Sequence, residues 1–412
     1  LLPLIFKLYN IAIKWYALII QIVACKNEKA KLWVLGRKNT FAYLEEKCTH
    51  ENEVIWIHSP SLGEFEQARP LIETIKRDFK KFKVLVTFYS PSGYEVRKDY
   101  PLLDFVCYLP LDTRENAIRF LDLVNPVATF FVKYDFWANY LNELQKRDLK
   151  HYVISAIFRH NHYFFKKKGV WMLNILSNIN HFFVQNEDSK YMLLTQNITQ
   201  VSNVGDTRFD RVLDITKNAR ELPILSAFKG DKPLFIGGST WPKGEEMLVE
   251  FMKHYDQRFK YVIAPHEIHE STLSKLEAQL DLNVLRYSNA NAQNAKNADL
   301  LVIDNMGLLS SLYAYADIAY IGGGFGKGIH NTLEAATFGM PIFIGPKNEK
   351  FQEATDLMDL GVAIEVQSAQ ELIAHCNRLL VHPTQWNELK VKSAQYVKNN
   401  AGATRKIIEH VF

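Results

Sequence analysis
The chain is poor in cysteine. Its four cysteines (Cys25, Cys48, Cys107 and Cys376) are scattered through 412 residues and never form C-x-x-C. That excludes a disulfide framework and a cysteine zinc site, and fits reduced thiols of a cytosolic-side protein. It also lacks an excess of one charge. A formal net charge of +4 argues against a dedicated nucleic-acid binder, while leaving room for a local basic face. No short repeat or low-complexity segment is visible, apart from an Asn/Ala-rich loop at 289–297. Three familiar signatures are missing as well. The glycines of 322–328 are out of register with G-x-G-x-x-G, and Lys327 is followed by Gly328, which breaks G-x-x-x-x-G-K-[ST]. His266 and His269 read H-E-x-H after Pro265 instead of H-E-x-x-H, and no third metal ligand is evident.

What is present describes a globular protein, 48% hydrophobic and 23% charged, long enough for two domains. The first 25 residues stand apart. They are nearly all apolar, interrupted by Lys7, Asn10, Lys14 and Gln21. At 100° per residue those four positions fall within an arc of about 60°, giving a helix with a wide greasy face and a narrow polar stripe. A transmembrane span would carry two costly lysines, and no small-residue cleavage site follows to make it a signal peptide. A buried helix is the bland alternative. An interfacial helix lying in one leaflet fits the stripe best. Residues 1–47 hold eight Lys/Arg against three Glu, a net +5 suited to an anionic leaflet.

Short apolar runs then alternate with helical patterns. Val54–Ile57, Lys83–Thr87, Phe105–Tyr108, Val127–Phe131, Tyr152–Ile154 and His181–Val184 read as buried strands. The pattern restarts near Glu221-Leu-Pro223 with Leu234–Ile236, Lys260–Ile263, Leu282–Leu285, Leu300–Ile303, Ile318–Ile321 and Pro341–Ile344. Alternating strand and helix implies parallel sheets, here two doubly wound α/β domains. The predicted organisation is a membrane-associated helix over 1–25, a first domain over 26–220 and a second over 221–412. Ligands of such domains bind beyond the carboxyl ends of the strands, in the cleft between them, so the polar motifs should follow strands.

They do. After Val54–Ile57 comes His58-Ser-Pro-Ser61-Leu-Gly63-Glu64. Glu64 is either a helix-start carboxylate favoured by the dipole or a general base for a hydroxyl nucleophile. After Leu234–Ile236 comes Gly237-Gly-Ser239-Thr240-Trp-Pro-Lys243, an oxyanion cradle or a capped turn. After Ile318–Ile321 a glycine-rich loop (Gly324, Gly326, Lys327) leads to His330, Asn331 and Glu334. There glycines admit a ligand to the backbone, a helix start attracts anions, and Glu334 can accept from sugar hydroxyls. Phe164-Phe-Lys-Lys-Lys168, with Trp171 beyond, is a solvated basic face or a partner for lipid phosphates.

The order Ser61-Leu-Gly-Glu64, Gly238-Ser-Thr240, Asp304-Asn-Met-Gly-Leu-Leu309, His330-Asn-Thr-Leu-Glu334 and Gly339-Met-Pro-Ile-Phe-Ile-Gly-Pro346 resembles the 3-deoxy-manno-octulosonate (Kdo) transferases of lipopolysaccharide synthesis. Gly205-Asp-Thr-Arg-Phe-Asp210 and Asn348…Phe351 agree with it. The resemblance implies a GT-B fold, two Rossmann-like domains facing across a cleft, with the last helix free to pack back on the first domain. It implies transfer of Kdo from CMP-Kdo to a hydroxyl of the disaccharide lipid A precursor, lipid IVA, at the cytoplasmic face of an inner membrane. No metal and no further cofactor is implied. Glu64 becomes the base. Ser239, Thr240, Lys243, His266, Gly324, Gly326, Lys327, His330, Asn331 and Glu334 become the CMP side. Ser61, Gly63, Lys133, Asp135 and Arg159 become the acceptor side.

Three stretches depart from that pattern. E-T-E-x-W-P-N reads Lys133-Tyr-Asp135-Phe-Trp137-Ala-Asn139, with a lysine in place of an acid. P-R-H reads Pro265-His266-Glu267, without the arginine expected near the donor phosphate; Arg208 or Lys327 is a candidate substitute. N-A-R reads Ser155-Ala-Ile-Phe-Arg159, with the arginine displaced. Two other classes remain open: another GT-B enzyme (a UDP-sugar transferase or nucleotide-sugar 2-epimerase), and a non-catalytic membrane-bound sugar-nucleotide sensor.

Overall fold
The computed structural model describes residues 2–49, 51–217, 219–255 and 258–412. It divides into two compact units, Leu1–Asp210 with Gly402–Phe412, and Arg211–Ala401. The sequence pattern places the boundary at 220; the division falls ten residues earlier, inside the helix Arg208–Lys217.

The first unit begins with helix α1 (Leu2–Val23). Its half-buried positions recur at 5, 6, 9, 10, 13, 17 and 20, so one face docks on the body of the unit. Tyr9 Oη donates to Asp112 Oδ2 at 2.5 Å, and Asn139 Nδ2 donates to Asn10 Oδ1 at 3.0 Å. Further along, Tyr16 meets Trp33 edge-on at 6.1 Å. The opposite arc leaves Leu4, Leu8, Ile11, Trp15, Leu18, Ile19 and Ile22 exposed. By length and composition α1 could cross a membrane, but it is not a buried helix, because none of its apolar stretch is enclosed.

Seven parallel strands follow: β1 (Val54–Ser59), β2 (Lys83–Phe88), β3 (Phe105–Tyr108), β4 (Ala128–Val132), β5 (His151–Ala156), β6 (His181–Val184) and β7 (Val201–Asn203). Their order is β3-β2-β1-β4-β5-β6-β7. Helix α2 (Leu62–Asp78) follows β1, and α3 (Val170–Leu176) lies between β5 and β6. One layer under the sheet packs Trp56 on Phe120 (4.7 Å), Phe131 (5.5 Å) and Tyr140 (5.7 Å). The other packs Ile55, Ile57 and Val86 on Phe65, Ile72 and Ile75 of α2.

The second unit has its own parallel sheet: β8 (Leu234–Thr240), β9 (Lys260–Pro265), β10 (Val284–Arg286), β11 (Leu300–Val302), β12 (Ile318–Ile321), β13 (Ile342–Ile344) and β14 (Ala363–Glu365), in the order β10-β11-β9-β8-β12-β13-β14. Helix α4 (Pro242–His254) follows β8, and the short α5 (Leu333–Thr337) follows the glycine loop. The chain then returns to the first unit as α6 (Ala403–Val411). Asp210 caps that helix, accepting from the Gly402 and Thr404 backbone N–H groups, and Ala403 and Ile407 join the α2 side of the first core.

The expected strands are all present. β7 and β14 are additional. Each is a three-residue edge strand, too short and too exposed to show an apolar run.

Candidate active site
The strand order reverses between β1 and β4 in the first sheet and between β8 and β12 in the second. Loops that leave neighbouring strands in opposite directions open a crevice there, which is where doubly wound sheets bind ligands. The Glu64 and Lys133 segments flank the first reversal. The Ser239 and glycine-loop segments flank the second.

In the first unit Ser61 is the N-cap of α2 and Glu64 lies in its first turn. The Ser61 hydroxyl donates to Glu64 Oε2, and Lys133 Nζ donates to Glu64 Oε1 at 2.9 Å. Burial pushes the Glu64 carboxyl up, but the Lys133 charge, with hydrogen bonds from Lys133 and Ser61, outweighs it and holds the group below the usual carboxylate range. Glu64 is therefore a held anion. Lys133 itself adopts a left-handed φ of +63°, which a non-glycine residue takes only under constraint. Gly63 faces open space, with only Ser61 Oγ near, so its lack of a side chain widens the approach to Glu64.

Asp135 lies two residues beyond Lys133 and anchors a chain of hydrogen bonds that runs into the core. Trp137 Nε1 donates to Asp135 Oδ2 at 2.9 Å, and His58 Nε2 is 2.9 Å from the same oxygen. His58 Nδ1 lies 2.9 Å from Thr87 Oγ1, which accepts from Trp56 Nε1 at 2.8 Å. One assignment satisfies the chain: Thr87 accepts from Trp56 and donates to His58 Nδ1, and His58 Nε2–H donates to Asp135. Sequence reading passed over this positioning role of His58 and Thr87, because pairing β1 with β2 is what brings them together. Arg159 is exposed in the loop after β5, outside the network. Arg208 is engaged with buried Asp206, at 2.7 Å.

In the second unit the double glycine of β8 is a packing requirement. A Cβ on Gly238 would stand 2.0 Å from Tyr313 Oη. Thr240 turns inward and donates to Glu245 Oε1 at 2.7 Å, while Ser239, at φ +50°, stays half-buried. In this conformation Ser239 rather than Thr240 has a hydroxyl to offer an anion.

The glycine loop is likewise built by backbone packing. A Cβ on Gly322 would come within 2.0 Å of the Ser239 carbonyl oxygen, and one on Gly324 within 2.6 Å of Gly345 Cα. Gly326 alone in this run has room, with its nearest neighbour 3.4 Å away. Gly324→Ala is accordingly expected to destabilise the protein by about 1–3 kcal/mol, read as a lower denaturation midpoint in urea, whereas Gly326→Ala leaves the midpoint nearly unchanged. Equal midpoints for both variants would refute this account.

A cavity of about 480 Å³ opens between the two loops, walled by Trp241, Tyr320, Phe325 and His330 and lined by Lys243 and Lys327. Trp241 stacks on His266 at 4.7 Å, His266 stacks on His330 at 4.5 Å, and Trp241 Nε1 donates to His330 Nε2 at 2.9 Å. Burial, with His266 adding to it, lowers the His330 pKa to about 4. His330 is thus a neutral hydrogen-bonding group at pH 7, and Lys243 and Lys327 supply the positive charge of this cavity. Asn331 Nδ2 donates to Glu334 Oε1 at 3.2 Å and its Oδ1 accepts from the Leu333 N–H, fixing the start of α5. Because α5 has only five residues, its dipole is small. The expected anion attraction of that helix start is better carried by the two lysines.

Residues 36–211 match the family model described as 3-deoxy-D-manno-octulosonic-acid transferase (kdotransferase). The chain is 26% identical over 366 residues to the 3-deoxy-D-manno-octulosonic acid transferase of Rickettsia felis, covering 86% of this chain and 78% of that protein. It is 28% identical over 361 residues to that of Rickettsia bellii, covering 84% of each. Among solved structures, UDP-GlcNAc 2-epimerase from Neisseria meningitidis bound to UDP-GlcNAc superposes with a TM-score of 0.61 at 16% identity, over 86% of this chain and 98% of that one. MurG of Acinetobacter baumannii superposes at 0.52 and 14%, over 87% and 99%. At those identities the structural likeness shows the fold alone, which is GT-B.

Proposed function
We propose that this chain, which resembles the Kdo transferases in sequence and has the GT-B fold, moves Kdo from CMP-Kdo to a hydroxyl of the lipid A disaccharide precursor at an anionic membrane surface. The observation that carries the reading is Glu64, a half-buried carboxylate held at the strand-order reversal of the first sheet, with one oxygen on Ser61 and the other on Lys133.

The chemistry is a displacement at the anomeric carbon of Kdo. Glu64 takes the acceptor hydroxyl proton, the acceptor oxygen bonds to that carbon, and the bond to the CMP phosphate breaks. CMP leaves with the electron pair. Lys243, Lys327 and the Ser239 hydroxyl are the groups proposed to stabilise that departing charge, and no metal or further cofactor enters the scheme. Glu334 is assigned to the ribose hydroxyls of CMP. Asp135, oriented by His58 and Trp137, is assigned to the acceptor with Lys133. The exposed arc of α1 rests in the cytoplasmic leaflet of the inner membrane, where a lipid acceptor is met.

Incubation with CMP-Kdo and a tetraacylated lipid A precursor should yield a product heavier by one or more Kdo residues, read by mass spectrometry. Calorimetry should show CMP binding preferred over UDP. Glu334→Ala should weaken CMP by about 10- to 100-fold, since each charged hydrogen bond contributes roughly 1.5–3 kcal/mol. A preference for UDP would overturn the donor assignment.

A further inference from the structure
We propose that the groove between α1 and α3 holds an acyl chain of an anionic membrane lipid, with Lys167 and Lys168 on the lipid phosphate. The proposal rests on the membrane reading of α1 and extends it from surface adsorption to a lipid site within the first unit. The groove has a volume of about 970 Å³ and lies apart from Glu64 and its partners. Leu8 and Ala12 form one wall; Val170, Trp171 and Met172 form the other, with the two lysines beside them.

Three observations favour a lipid. First, the walls are fixed to one another at Trp171. Trp171 packs on Phe6 at 6.2 Å and on Tyr9 at 5.4 Å, Tyr9 is tied to Asp112, and Trp171 Nε1 donates to Tyr163 Oη at 3.3 Å. The apolar groove beside these contacts leaves surface that an alkyl chain would bury. Second, Lys167 and Lys168 are exposed, and among the described residues neither pairs with an acid. Their charge is available to an anion. Third, Leu8 belongs both to the groove and to the exposed apolar arc of α1. If that arc sits at the headgroup–acyl boundary, the groove opens at the depth where acyl chains begin and phosphates end. A peptide helix would satisfy the apolar walls but gives no account of two adjacent cations at the lip.

The test uses the full chain and vesicles of phosphatidylglycerol with brominated acyl chains, compared with brominated phosphatidylcholine. Trp15→Phe first removes the exposed indole of α1. Bromines should then quench the remaining emission in phosphatidylglycerol, and Trp171→Phe in the same background should abolish that quenching. Ala12→Phe, which narrows the groove, should reduce the quenching while vesicle binding persists. Lys167→Ala with Lys168→Ala should weaken binding to phosphatidylglycerol vesicles by about 30-fold at low salt, since each lysine contributes about 1 kcal/mol at such a surface. Vesicle binding without quenching of Trp171 overturns the groove and leaves the membrane reading intact. Loss of vesicle binding in the unaltered chain overturns both. Quenching that is equal in the two lipids, or that appears only with a brominated acceptor lipid, assigns the groove to a different occupant and also overturns the proposal.

Discussion

Glu64→Gln is expected to lower transfer from CMP-Kdo by about 10²- to 10⁴-fold, the usual contribution of a positioned acid–base group. The amide keeps the shape of the carboxylate: its oxygen still accepts from Lys133, and its NH2 group can donate to the Ser61 hydroxyl, so the loop and α2 stay in place. What it cannot do is take a proton. The residues assigned to CMP all lie in the second unit, so calorimetric CMP affinity should change by less than about twofold. Transfer surviving near the wild-type rate would remove Glu64 from the chemistry and return it to its bland role, a carboxylate stabilised at a helix start.

Lys133→Met is expected to move the acid limb of the kcat/KM profile to higher pH. In the native chain burial raises the Glu64 pKa, and Lys133, with help from Ser61, outweighs burial, so the carboxylate persists below the usual range. Removing the ammonium leaves burial opposed only by Ser61 and the backbone. Each unit of upward movement then costs about tenfold in rate on the acid side. The sign for stability is the same. A depressed pKa contributes stability above the unfolded-state value and loses it as pH falls through the folded-state value, so the variant lacks this acid-side dependence and is less stable at neutral pH. Burial also pushes the Asp206 carboxyl up, but the Arg208 charge and hydrogen bonds, with a smaller contribution from Lys133, outweigh it and hold the group low, so the methionine slightly relaxes that group as well. Lys133→Glu is the sharper version, because it sets a like charge against Glu64 and should drive the limb further up. Unmoved limbs in both variants would mean that the residue titrating in catalysis is not Glu64.

Much of the fold is legible in the sequence for a simple reason. Strands of a parallel sheet covered on both faces are short continuous apolar runs, and Val54-Ile-Trp-Ile57 or Ile318-Ala-Tyr-Ile321 can hardly be anything else. The edge strands Val201–Asn203 and Ala363–Glu365 escaped because each has three residues, only one of them buried. The motif residues were legible because the chemistry of such folds sits on loops that follow strands. Their local geometry was not. The glycines at 322 and 324 look like ligand-admitting positions in sequence, yet they are there because Ser239 and Gly345 backbone leave no room for a Cβ. Thr240 looks like a phosphate donor, yet its hydroxyl is turned to Glu245.

The sequence by itself therefore determined the two α/β units, the apolar helix at the start and the identity of Glu64, Ser239, His330 and Glu334 as candidates. These follow from local periodicity and from residue types placed after strands. Only the tertiary structure decided that Lys133, 69 positions along the chain, is the counter-ion of Glu64, and that His58 and Thr87 orient Asp135. It alone decided that His330 is neutral through burial beside His266, leaving Lys243 and Lys327 as the charge of the second cavity. These are facts of parallel strand pairing and of exclusion from water, and neither leaves a mark in the spacing of residues along one chain.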